Sequence, residues 1–98
     1  MVKKVTWSQK AKEDRLQILN YWFERLGNKE YSKKLNARFN QTIKYIKENN
    51  YLGKSTDYEN VRVSIIGHYL LFYQVTKHQI EILTIFDSRR NSNDFRLI

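Results

Sequence analysis

Few side chains in this sequence are equipped for chemistry. His68 and His78 are its two histidines, Arg62 stands between Val61 and Val63, and Arg89-Arg90 is a cationic pair at the start of a polar stretch. Cleavage of RNA by 2′-hydroxyl attack needs a base, an acid and cations over the phosphate. A histidine pair would supply the first two at neutral pH. The segment between His68 and His78 reads as a strand, and at about 3.3 Å per residue it sets them roughly 30 Å apart. They cannot both reach one phosphate, and each is expected in a surface turn. Arg62 offers a bidentate fork to a phosphate. Its competing role is a sheet-face pair with Glu59 or Glu81. Arg89-Arg90, at a strand exit, suits either plain solvation or contact with an anionic target. Tyr69 and Tyr73 share a face with Leu71 and Val75, which favours core packing over a substrate-orienting role.

Much other chemistry has no residues to carry it. The chain has no cysteine, so it has no disulfide framework, thiolate site or Cys nucleophile. Two histidines make a zinc site improbable. No Gly-rich phosphate loop, metal-ligand spacing or Ser-His-Asp set occurs, and Ser64 and Ser88 have no evident base. No metal or cofactor is expected. The N-terminus carries no apolar run of signal-peptide length, and no stretch approaches the roughly 18 apolar residues of a membrane span. A cytoplasmic protein without membrane attachment is expected.

The 98 residues suit one domain, 1–98, and the 14% aromatic content argues against disorder. Net charge is +8, and its placement is uneven. Residues 1–54 hold 13 Lys+Arg against 5 Asp+Glu, whereas residues 55–98 hold 5 of each. This asymmetry fits an acidic partner, nucleic acid or protein, and equally a solvated helical surface.

Gly27, Gly53 and Gly67, with no proline anywhere, punctuate the chain. Residues 2–7 read as a short strand, and Ser8 can cap a helix. Leu16, Leu19, Trp22, Phe23 and Leu26 form an apolar stripe, which predicts a helix over 9–26 ended by Gly27. Asn28 can cap a second helix with the stripe Leu35, Phe39, Thr42, Ile43 and Ile46, ended by Asn49-Asn50 and Gly53. The short gap forces the helices antiparallel. Residues 55–59 are expected to be a loop. Val61, Val63 and Ile65 then alternate with Arg62 and Ser64, as in a half-buried strand. Residues 69–76 are apolar on both faces, as in a central strand, and 79–86 form the last strand. Gly67-His68 and Lys77-His78 are the turns. The expected fold is α+β, in the order β-α-α-β-β-β. An N-terminal strand joins a three-stranded antiparallel meander, with the helical hairpin packed on one face.

These residues resemble the RelE/ParE toxins of bacterial type II toxin–antitoxin systems. Trp7-Ser8 leading into Ala11-Lys12-Glu13-Asp14-Arg15-Leu16, Ile18 and Tyr21 is similar to the family's first helix. Val61-Arg62-Val63 resembles its arginine-bearing strand, and Gly67-His68-Tyr69-Leu70-Leu71-Phe72-Tyr73 its central strand. Ile82-Leu83-Thr84-Ile85-Phe86-Asp87-Ser88-Arg89-Arg90 resembles its closing strand and basic end. The resemblance implies a toxin neutralised by a cognate antitoxin, expected to carry an acidic segment that lies along the hairpin and the sheet edge. ParE-like members bind DNA gyrase, and RelE-like members cleave mRNA on the ribosome. In RelE-like toxins an arginine usually follows the tyrosine of the central strand, where Leu70 stands here. The basic residues expected before the Arg62 strand are replaced by Ser55-Thr56-Asp57-Tyr58-Glu59-Asn60, with only Lys54 nearby. The resemblance therefore leans towards a non-enzymatic gyrase poison, with Arg62, Arg89 and Arg90 as target contacts. The alternative is a ribosome-dependent endoribonuclease. There Arg62, Arg89 and Arg90 would clamp phosphate and Tyr73 or Lys54 would assist proton transfer. An inactive binding module is the third reading.

Overall fold

The structure, a computed structural model, describes residues 3–97. Strand β1 (Lys4–Trp7) leads into helix α1 (Gln9–Leu26) and helix α2 (Glu30–Glu48). The strands β2 (Lys54–Ser55), β3 (Val61–Ile66), β4 (Tyr69–Val75) and β5 (Gln79–Asp87) follow. A short 3-10 helix (Ser92–Asp94) precedes the C-terminal residues. Of the strand expected over 2–7, Val2 lies outside the described residues, and pairing begins at Lys4. The expected α+β architecture holds.

The strands form one sheet in the order β1-β5-β4-β3-β2. β3, β4 and β5 are the expected antiparallel meander. β1 joins β5 in parallel, so the sheet is mixed. The segment expected to be a loop over 55–59 begins with a strand residue, because Lys54 and Ser55 pair with Val63 and Arg62.

Each helix is placed by its own sequence. Ser8 accepts the Ala11 amide at 3.0 Å and donates to the Leu83 carbonyl at 2.8 Å. It thus caps α1 and ties that cap to β5. Gly27, in the left-handed region at φ 72°, ends the helix. Asn28 acts one residue earlier than a true cap: Lys29 holds the cap position, and the Asn28 side chain accepts the Glu30 amide. The α2 stripe is as predicted. Leu35, Phe39 and Ile46 are at most 1% exposed, and each such burial contributes about 1.5–3 kcal/mol.

Two apolar patterns mislead. In α1 only Ala11 is fully buried, with Ile18, Leu19 and Trp22 packed beside the core. Leu16, Phe23 and Leu26 of the expected stripe are instead 60%, 40% and 47% exposed. The stripe is wider than the contact, because α1 packs mainly on β5 and α2. In β3 the residues facing the helices are Arg62, Ser64 and Ile66. They stand opposite Tyr73, Leu71 and Tyr69, which are core residues. Val61, Val63 and Ile65 therefore point to the other face, where Ile65 is exposed. That face is partly covered by Phe95, whose ring packs against Phe72 at 4.8 Å and Phe86 at 5.3 Å.

Candidate functional site

Beyond the end of β1, one edge of β5 has no strand beside it. α1 covers that edge. Asp14 accepts the Ile85 amide at 3.3 Å and the Thr84 hydroxyl, and Lys10 pairs with the same carboxylate at 3.1 Å. The carboxylate stands in for a missing strand partner. A cleft of about 440 Å³ opens between the helix and the end of the strand. Asp14, Gln17 and Tyr21 form its helical wall, and Tyr69, Asp87, Arg89 and Arg90 its other side.

The two arginines stand differently in this cleft. Asp87 grips Arg89 through two bonds, 2.9 Å to Nε and 2.8 Å to Nη2. This fork lowers the Asp87 pKa and raises that of Arg89. It also fixes where Arg89 points, although half of its side chain meets solvent. Arg90 has only a loose contact with Asp94 at 3.8 Å and lies over the Phe86 ring. Behind them the Tyr69 hydroxyl accepts the Trp22 indole N–H at 2.7 Å. Burial raises the Tyr69 pKa, so the phenol remains a donor at neutral pH. Among the described residues it donates to no acceptor.

The remaining candidates form a second group. Tyr73 is fully buried, accepts the Gly53 amide at 2.9 Å and donates to the Asn50 carbonyl at 3.0 Å. Burial raises its pKa. Arg62 donates to the Gly53 carbonyl at 2.6 Å and lies over the Tyr51 ring. It pairs with neither Glu59 nor Glu81. Arg62 and Tyr73 thus hold the segment that leaves α2, and exposed Lys54 follows it. The two groups are four residues apart along β4, roughly 13 Å. His68 and His78 are exposed at opposite ends of that strand. Among the described residues no cluster of three His, Asp or Glu side chains could hold a metal.

The sequence singles out Arg89-Arg90 as candidates but not the helical wall of the cleft they line. Asp14 was visible only as an acidic residue of the first helix. Nothing in its spacing reveals that it meets β5, 70 residues later.

Residues 5–92 match the sequence profile of the ParE toxin of the type II toxin–antitoxin system parDE. The chain belongs to the ParE toxin family. Two solved structures share the fold of this family member. A chain of the chromosomal ParDE TA system from P. aeruginosa superposes with a TM-score of 0.75 at 20% identity, covering 88% of this chain and 96% of that one. The YoeB dimer from Staphylococcus aureus gives 0.59 at 21% identity, covering 86% and 94%. At such identities the likeness is one of fold. No curated protein matches in sequence at a significant level.

Proposed function

We propose that this ParE-family toxin arrests growth by binding and poisoning DNA gyrase, without itself catalysing a reaction, and that an antitoxin with an acidic segment silences it. The observation that carries this reading is the chemistry of the Arg89-Arg90 cleft. It offers two exposed guanidinium groups and a phenol donor, but no histidine. Of its two carboxylates, Asp87 is a poor base, held below the usual carboxylate range by Arg89, and Asp14 is turned away from the cleft's cations to bond with β5 and Lys10. Such a site suits docking on an anionic or carbonyl-rich surface.

A nuclease would need Arg62, Lys54 or Tyr73 to act together with Arg89 and Arg90. Arg62 and Tyr73 are bonded around Gly53, away from the cleft. The proposal therefore gives target contact to Arg89 and Arg90, and to Arg62 the support of the chain around Gly53. The antitoxin reading draws on the +8 charge and on exposed Leu16, Phe23 and Leu26 along α1. Among the described residues no helix is long and apolar enough to cross a membrane, and gyrase would place the toxin's work in the cytoplasm.

Inducible expression tests the reading. Growth arrest with double-strand breaks and an SOS response is expected, and Arg89→Ala/Arg90→Ala should relieve it while the protein stays folded. Codon-periodic transcript cleavage without DNA breaks would replace gyrase with the ribosome as target.

A further inference from the structure

A second cavity, about 420 Å³, lies on the other side of Tyr69, between α1, α2 and the β3–β4 turn. Three nitrogen-rich side chains reach it from three elements: Arg38 of α2, His68 of the turn, and Arg89 after β5. Arg38 makes no hydrogen bond or ion pair among the described residues. Its guanidinium lies over Gly67, where a Cβ would stand 3.5 Å from Nη1. The wall is aromatic. Trp22 and Tyr31 meet edge to face at 4.9 Å, and Tyr31 keeps 38% of its surface exposed. Tyr69, whose hydroxyl keeps an unused proton, lines the same space.

We propose that this cavity binds a nucleotide, its phosphate held by Arg38, Arg89 and the Tyr69 hydroxyl, and its base laid on Tyr31. The arrangement supplies what such a ligand needs. Guanidinium groups form charge-assisted bonds to phosphate oxygens, and a neutral phenol adds a donor that repels no anion. A partly exposed ring beside the cations accepts any base face, which makes recognition tolerant of base identity. The volume falls within the range of small-ligand pockets, about 300–1,000 Å³. None of the side chains named as ligands is a carboxylate. Asp87, the nearest acid on β5, is turned to Arg89 by its fork. The nucleotide could arrive free or as part of a single strand, since both present the same phosphate and base. Arg89 and Tyr69 line both spaces, but Arg38 and Tyr31 lie outside the Arg89-Arg90 cleft, so variants of these two test the inference apart from the gyrase reading.

Calorimetric titration of the full chain tests it, with adenosine 5′-monophosphate, adenosine, inorganic phosphate and a short single-stranded oligoadenylate lacking terminal phosphates. The monophosphate or the oligonucleotide should bind saturably, and more tightly than adenosine or phosphate alone. Arg38→Ala should raise its Kd about tenfold, as loss of a charge-assisted bond predicts. Tyr31→Ala should raise it by roughly as much. Both side chains are exposed, so circular dichroism should report an unchanged fold. Tighter binding of the oligonucleotide identifies a strand as the source, and binding of the monophosphate alone identifies a free nucleotide. Absence of saturable binding to every probe overturns the proposal, as does an affinity unmoved by Arg38→Ala.

Discussion

Tyr73 satisfies two backbone groups with one oxygen, the Gly53 amide and the Asn50 carbonyl. This explains why residue 53 has no side chain. A Cβ there would sit 2.8 Å from the Tyr73 hydroxyl and 2.8 Å from the Val63 carbonyl oxygen. The carbonyl belongs to a paired strand and cannot retreat, so Gly53→Ala should cost about 1–3 kcal/mol, the range for overpacking. Urea unfolding would measure it, and an unchanged midpoint would refute the account of this contact. Tyr69 and Tyr73 also make a prediction about alkali. Burial raises both pKa values above the ordinary 10.0, whereas the unfolded chain ionises at that value. Their contribution to stability is therefore complete below about pH 10 and fades as pH climbs through the folded values. Phenolate absorbance should show Tyr69 and Tyr73 ionising above 10.0, with unfolding accompanying them. Neither role was legible beforehand. The spacing of Tyr69, Leu71 and Tyr73 placed their rings on the core face, but which groups a hydroxyl meets depends on tertiary approach.

Ser8 marks the boundary where strand becomes helix, and its hydroxyl serves both. Ser8→Ala removes the α1 cap and the bond to the Leu83 carbonyl. A loss of about 1–2 kcal/mol is expected, read as a lower thermal midpoint. Boundaries of this kind were legible: α1 begins after Ser8 and ends at Gly27 as their chemistry predicts. α2 was clearer still, since its stripe faces the sheet without ambiguity. The faces of α1 and β3 were not. Leu16, Phe23 and Leu26 have the periodicity of a buried stripe, yet stand free. In β3 the alternation of Val61, Val63 and Ile65 identifies a strand without telling which side the helices take. Ser64 and Ile66 face them instead. Hydrophobic period reports the type of an element, and the neighbouring layer decides its inward face. The parallel pairing of β1 with β5 was equally hidden, because register between segments 75 residues apart leaves no local signal.

At the scale of the molecule, cations dominate one half of the sequence, while the arginines assigned to target contact come from the other, neutral half. The fold reconciles the two. The meander carries Arg89 and Arg90 to the end of β5, beside the cationic helical hairpin. The resulting field should hasten encounter with an anionic partner and weaken as salt is added. Order and punctuation sufficed to suggest the family. The proposed target rests on a cleft that exists only once α1 crosses β5. The most direct test is a reaction of purified gyrase and plasmid DNA with this toxin. Cleaved DNA complexes should accumulate with the wild-type chain and be largely lost with Arg89→Ala/Arg90→Ala. Gyrase that continues to supercoil DNA undisturbed by the folded wild-type toxin would contradict the account.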